Sequence, residues 1–356
     1  SLITRTVVDL VRSCGADPFV VPAMGSHGGA TAAGQRAVLE HIGVNEKAVG
    51  APIRATMDVV QIGNSAGGLP LYFDRHAAEA DGIIPINRIK PHTSFRGPVE
   101  SGLLKMLVLG FGKQLGADAT HARGFDHMAN NILDVSASLI ERLPVSFGLG
   151  VIENAYGQTA RVVAVPAERM QEDERRLIDD ARALMPRIMF NPLDVLIVDQ
   201  IGKDVSGVGM DPNVTGRYPS DLVKGDQRVT RIVALRLTDA TGGNAAGVGL
   251  ADVTTRALEG QIDRLKGYMN SLTSTTMSTV KLPMVLATDD LAIRAAIKTC
   301  NAENPRAPRM ARIRSTKHLG EIWVSEALLD EALAHEAVEV LGPPQPLELD
   351  LDGKLR

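Results

Sequence analysis

A two-domain, layered α/β protein with its ligand site in the interdomain cleft is the fold class the sequence predicts, on three observations. Short runs of Val, Ile and Leu alternate with amphipathic runs at helical spacing through both halves of the chain. Glycine loops stand where a strand run gives way to a helix run, which is where open α/β sheets hold ligands. The composition agrees: 34 of 356 residues are Gly, 44% are hydrophobic and only 3% are aromatic, which supplies cores and tight loops but no platform for stacking bases.

Residues 2–13 place apolar side chains at helical spacing, with Gly15 available as a cap. Residues 18–23 read as a short buried strand, 25–29 as a glycine loop and 30–42 as a second amphipathic helix. Residues 59–62 and 69–73 flank Gly67-Gly68 as a hairpin. A short helix at 77–80 and a strand at 82–87 follow, and 88–121 reads as mostly polar loop around an apolar helix at 102–109. Then come a helix at 126–142, strands at 145–152 and 161–165, and a charged amphipathic helix at 168–185. Pro186 and Pro192 break the pattern, so the expected domains are 1–188 and 189–340, with a tail over 341–356 that packs back or stays loose. The second half opens on a strand at 195–198 and a Gly/Asp/Pro/Asn loop at 202–217, a length that is uncommon without a function. Strand 232–237, helix 252–270, strand 284–287, helix 290–300 and strand 321–324 complete it.

A net charge of −4, from 38 basic and 42 acidic residues, cannot build the broad positive field that nucleic acid demands. No apolar stretch approaches the ~18 residues of a membrane span. Thr4, Arg5, Asp9 and Arg12 interrupt the place of a signal peptide's apolar region. Cys14 and Cys300 show neither a disulfide nor a metal spacing, so a cytoplasmic protein is expected, and a homo-oligomer is compatible with the sequence.

Three histidines sit in loops rather than on apolar helix faces: His27 in Gly25-Ser26-His27-Gly28-Gly29, His92 in Lys-Pro-His-Thr, and His121 in Ala-Thr-His-Ala-Arg. Imidazole titrates near neutrality and binds metals, so these are proton-transfer or ligand candidates. The glycine loop fits either close approach of an anionic group or a tight turn needing positive φ. It matches neither the dinucleotide fingerprint nor the phosphate loop. Arg88, Lys90, Arg96, Lys105 and Lys113 fall within one segment that holds a single acid, Glu100, and suit an anionic ligand or a solvated face. Lys105 lies in an apolar run, where desolvation lowers the pKa of an amine and frees it as a nucleophile.

The combination of Pro22-Ala-Met-Gly-Ser-His-Gly-Gly-Ala-Thr31, Asn87-Arg-Ile-Lys-Pro-His92, Lys105 and His121 resembles the nickel-dependent lactate racemase family. The resemblance implies a cytoplasmic isomerase, a racemase or epimerase of a 2-hydroxy acid. It implies a nickel-pincer nucleotide, that is, nickel held by a pyridinium-3-thioamide-5-thiocarboxylic acid mononucleotide. By similarity, His27 and His92 are the catalytic histidines, Lys105 joins the cofactor through a thioamide, and His121 is the nickel ligand. Gly25, Ser26, Gly28, Gly29 and Lys90 are expected to hold the cofactor. One histidine would take the hydroxyl proton while hydride leaves C2, and the other would serve the mirror-image substrate. Relatives carry an arginine for the substrate carboxylate before the first helix, and this sequence opens almost at that helix. Arg96, Lys203, Asp211, Asn213 and Arg217 are the expected substrate contacts, and their number suits a substrate with more hydroxyls than lactate, such as an aldonic acid. The alternatives are a metal-dependent lyase or hydratase, or a non-catalytic binding protein for an anionic metabolite.

Overall fold

Alternating apolar periods of two and of 3.6 residues fold here into strands and helices in nearly the order the pattern sets. The computed structural model describes residues 1–356, which form two units: Ser1–Glu153 with Thr159–Ala183, and Asn154–Gln158 with Leu184–Arg356.

The first unit begins with the helix Leu2–Ser13. Its buried Val8 packs with Val44, Val49 and Ala51. The strand expected at 18–23 shrinks to a single parallel bridge between Val20 and Ile53, because Pro18 and Pro22 lack the amides a ladder needs. Helix Ala32–His41 follows the glycine loop, capped by Thr31, whose hydroxyl accepts the Gly34 amide at 3.0 Å. β1 (Val59–Asn64) and β2 (Pro70–Asp74) pair antiparallel as the expected hairpin, with Val60 opposite Phe73. β3 (Ile86–Arg88) is shorter than the expected 82–87, since Ile83 makes only an isolated bridge to Val145. β4 (Phe147–Glu153) lies parallel to β3 and antiparallel to β5 (Thr159–Pro166), and helix Met170–Ala183 packs on both β4 and β5.

The polar loop expected to continue to residue 121 is helical instead. An α-turn at Leu103–Lys105 runs into a π-turn at Met106–Gly110, and the helix Lys113–His121 follows. Polar Gln114 and Asp118 are exposed on that helix, while the small residues Gly116, Ala117 and Thr120 form its buried face, a stripe too weakly apolar to stand out by periodicity.

The second unit is built on a six-stranded sheet, whose strands lie side by side in the order 323–324, 310–313, 193–201, 229–237, 253–255 and 284–286. β6 (Leu193–Ile201), β7 (Val229–Leu237), β8 (Val253–Thr255), β9 (Met284–Leu286) and β10 (Met310–Ile313) run parallel, and β11 (Trp323–Val324) is an antiparallel edge. Both faces are covered. Val195, Ile197, Val233 and Leu235 join Ala292 and Ala296 of helix Asp289–Thr299. Leu196, Val198, Ile232 and Ala234 join Leu258 and Leu328 on the other side. That double burial is why β6 and β7 are continuous apolar runs in the sequence. The helix expected over 252–270 is divided: Val253-Thr254-Thr255 is β-branched and joins the sheet, and only Arg256–Glu259 and Arg264–Ser274 are helical, capped by Thr255 and Asp263. The pattern also missed β10, a central strand whose run is interrupted by Arg312. No helix is long and apolar enough to cross a membrane.

Candidate functional site

Lys105 closes the α-turn Leu103–Lys105, and the next turn widens to π geometry, with the Phe111 amide reaching back to the Met106 carbonyl at 3.0 Å. A single π-turn inside a helix is rare and frequent at functional sites. The turn is held from three sides. Asn87 of β3 donates to the Gly102 carbonyl at 2.9 Å. Lys90 and Ser101 exchange backbone hydrogen bonds of 2.9 and 3.2 Å. The fully buried carboxylate of Glu174 accepts the Leu104 amide at 3.0 Å. Gly102 is required beneath it, because a Cβ there would stand 2.5 Å from the Glu174 carboxyl carbon.

His92 rises from the loop that follows β3. Its ring lies 4.3 Å from the Phe95 ring and 6.0 Å from that of Phe125, centroid to centroid, and His121 meets the same Phe125 edge-on at 5.6 Å. Phe125 therefore neighbours both imidazoles. The loop is clamped by Glu100, which accepts the His92 amide at 2.6 Å and pairs with Arg96 and Arg182. Arg96 also donates to the carbonyls of His92 and Phe95 at 2.7 and 3.1 Å, so much of its hydrogen bonding goes to holding this loop closed.

These groups share one electropositive neighbourhood. Burial, and next the ammonium of Lys90, bring the Lys105 amine from its ordinary 10.5 down to about 8. His92 is pushed well below 6.5 by burial and then by Lys105, His121, Lys90 and Arg96. His121 is lowered chiefly by burial, against the hydrogen bond of its Nδ1 to the Ala117 carbonyl at 2.7 Å. Near neutral pH the cluster presents uncharged imidazoles and an amine of which about a tenth is free base. With Nδ1 bound to a carbonyl, neutral His121 carries its lone pair on Nε2, the tautomer of a metal-ligating histidine whose other nitrogen is fixed by a carbonyl. No three His, Cys, Asp or Glu side chains gather as a metal cage, so a metal held here takes most of its donors from a bound group.

His27 is exposed, and its Nδ1 meets the Met24 carbonyl at 2.8 Å. Its loop is tied to the end of the π-turn by the Gly25 amide, 3.1 Å from the Gly110 carbonyl. Gly25 and Gly28 have φ of 62° and 68°, and a Cβ on Gly28 would stand 2.5 Å from the Gln35 amide nitrogen. Of the two readings of the glycine run, turn conformation and close packing on helix Ala32–His41 account for Gly28 without a ligand. Lys113 belongs to the foundation as well. It is buried, pairs with Asp74 at 3.1 Å, and holds Gln35 at 3.0 Å, while Gln35 donates to the Gly25 carbonyl at 2.7 Å. Arg88 pairs with Glu153 at 3.1 Å on the surface. The basic segment is thus divided by the fold: Lys90 and Lys105 join the histidines, Lys113 is internal, and Arg88 faces a carboxylate.

The remaining candidates lie in the second unit. Burial lowers Lys203 to about 8, and its ammonium donates to the Gly207 carbonyl at 2.6 Å. Asp211 caps the short helix Pro212–Thr215, accepting the Asn213 amide at 2.9 Å and its side chain at 2.7 Å. Arg217 makes a two-pronged pair with Asp252, both contacts 3.2 Å, and donates to backbone carbonyls of Val229, Thr230 and Leu250. Expected as a substrate contact, it is engaged in this structure as a tie between the loop and the strands. Phe95, Phe125 and Glu174 were not among the expected site residues. The two phenylalanines, in a chain holding only 7, were the available signal. Nothing marked Glu174 among the acids of its helix.

A family model described as the lactate racemase N-terminal domain matches residues 1–125. No curated protein matches the chain. Among solved structures, the chain is similar to the lactate racemase apoprotein from Thermoanaerobacterium thermosaccharolyticum, with a TM-score of 0.51 and 13% identity over 88% of this chain and 82% of that one. It is also similar to a protein from Thermotoga maritima, with a TM-score of 0.47 and 14% identity over 89% of this chain and 96% of that one. At such identities the structural likeness is one of fold.

Proposed function

From the lactate racemase likeness of its first unit, we propose that this chain is a racemase or epimerase that inverts C2 of a 2-hydroxy acid, with a nickel-pincer nucleotide joined to Lys105. The observation that carries this reading is the desolvated Lys105 amine, brought to about 8 and electrostatically coupled to His92 and His121, both of which neighbour Phe125. The residues fit the group. Lys105 is nucleophilic enough to be acylated, His121 offers one neutral imidazole of the softness that square-planar nickel accepts, and sulfur arms would complete the set. When bound, such a nucleotide supplies a two-electron acceptor for the hydrogen at C2, which is poorly acidic and leaves more readily as hydride than as a proton.

The chain's own part is to bind, orient and move one proton. Lys90 and the backbone of the Gly25-Ser26-His27-Gly28-Gly29 loop suit the anionic end of a nucleotide. His27 and His92 suit the hydroxyl at C2. In the second unit, taken by itself, Lys203 with Asp211 and Asn213 in the same loop suits a polar, anionic acid richer in hydroxyls than lactate.

Nickel analysis and intact mass, on protein from a host able to make the cofactor, test the reading: one nickel and a covalent adduct on Lys105 are expected, with C2 inversion of a hydroxy acid that keeps its C2 hydrogen in deuterated water. Unmodified, nickel-free protein would refute it, and solvent deuterium at C2 would point to a proton-abstracting lyase or hydratase instead.

A further inference from the structure

Helix Arg264–Ser274 of the second unit turns its apolar side chains outward. Asp263 caps it, accepting the Leu265 and Lys266 amides at 3.1 and 3.4 Å, and the Lys266 ammonium donates to the Gly242 carbonyl at 2.7 Å. The residues it buries are Gly267 and Ser271, seated on the turn Met277–Val280. There the Ser271 hydroxyl meets that of Thr279 at 3.1 Å, and a Cβ on Gly267 would stand 3.3 Å from the Val280 side chain. Leu265, Tyr268, Met269 and Leu272 recur at the i, i+3, i+4, i+7 spacing of one helical stripe, yet they are 70%, 44%, 52% and 66% exposed. So close a seat leaves no rotation that would bury them. The surface continues past the helix, because Tyr268 and Leu282 line one apolar groove with Ile262 and Val280, and Met284 is exposed two residues on. From these exposures the stripe, Leu282 and Met284 bare roughly 600 Å², most of the about 800 Å² that each side of a stable interface buries. A contiguous apolar surface of this kind marks an interaction site.

Charge identifies what covers it. Residues 264–288 hold three bases, Arg264, Lys266 and Lys281, and no acid. The same unit carries the opposite surface. Residues 326–352 hold eight acids and neither Lys nor Arg, and there Leu333, Leu341 and Leu347 are exposed beside exposed Glu336, Glu339 and Glu348. One surface is apolar with a basic fringe, the other apolar with an acidic fringe, and the two are complementary in both respects. We propose that the outward stripe of helix Arg264–Ser274 receives the acidic segment 326–352 of a second copy of this chain, so that the protein self-associates head to tail. A symmetric contact of helix on helix would instead bring together two surfaces of the same charge. Because the two patches differ, each contact leaves one further stripe and one further segment to be used, and the assembly closes into a ring when the rotation between copies permits it.

Sedimentation velocity on the whole chain, from about 1 to about 100 μM, tests this. Wild type should sediment as more than a monomer within that range. Arg264→Glu with Lys281→Glu reverses the fringe of the stripe, and Glu336→Lys with Glu339→Lys reverses that of the segment. Each pair should weaken association about 10-fold or more, and mixing the two variants, whose charges again oppose, should restore it to within about 3-fold of wild type. Recovery on mixing is a result that general loss of structure cannot give. Where a reversal unfolds the chain, Leu272→Ser and Leu341→Ser read the same two surfaces and should each weaken association. A wild-type monomer throughout the range, association untouched by the variants, or folded reversed variants that stay apart on mixing would each overturn the proposal. A monomer that floats with phosphatidylserine vesicles through Leu272 assigns the stripe to an anionic lipid surface and overturns it too.

Discussion

The carboxylate of Glu174 accepts the backbone amide of Leu104 at 3.0 Å across 70 residues of sequence, and so caps the single α-turn that ends on Lys105. With the π-turn that continues it, the turn is too short to be stable as a helix by itself. Its leading amides are satisfied instead by a buried side chain from helix Met170–Ala183. The position of the amine therefore depends on a distant acid.

Burial raises that acid from 4.5 to about 7, against the amides of Leu104 and Leu103, which lower it. Between those two values the folded protein holds a proton that the unfolded chain has released. Stability should then fall as pH rises from about 4.5 to about 7, by on the order of 3 kcal/mol for this group. Glu174→Gln removes the dependence. Urea unfolding at pH 5 and pH 8 should show the variant gaining on wild type by about 1–3 kcal/mol at the higher pH. An equal difference at both pH values would show that Glu174 does not titrate in that window.

Lys105 at about 8 is far more deprotonated at neutral pH than a lysine at the ordinary 10.5. Its acylation by a small amine-reactive acyl reagent, followed peptide by peptide in cofactor-free protein, should show a midpoint near pH 8. The difference in free amine at pH 7 is about 10²-fold. Lys105 titrating together with the surface lysines would contradict its desolvation.

Lys113 is the counter-ion of buried Asp74 and the anchor of Gln35. Replacing one partner of a buried pair strands the other, at about 3–5 kcal/mol. Lys113→Met should thus lower the unfolding midpoint strongly and loosen the Gly25–Gly29 loop, visible as faster amide exchange there. Near-wild-type stability would mean that the pair carries little of the fold.

His121→Ala should lose nickel while leaving the mass adduct on Lys105, because the imidazole and the amine have separate tasks in the proposed site. Retention of one nickel per chain in this variant would assign the metal to other donors.

The sequence by itself determined the layered α/β class, the hairpin, the apolar strands β6 and β7 of the second unit and the loop positions of His27 and His92, since these follow from apolar period, glycine and proline, which act locally. It also singled out Lys105 from its apolar run. Only the tertiary structure decided which of the five clustered cations would face the histidines. Lys90 and Lys105 do, Arg96 binds the His92 carbonyl and Glu100, Lys113 is internal and Arg88 meets Glu153. Tertiary structure likewise tied Arg217 to Asp252, broke the expected helix at 252–270 where Val253-Thr254-Thr255 joined a sheet, and brought Glu174 under the Lys105 turn. A side chain's charge and shape are written locally, but its distant partner and its desolvation arise from groups far away in sequence that packing alone brings within hydrogen-bond range.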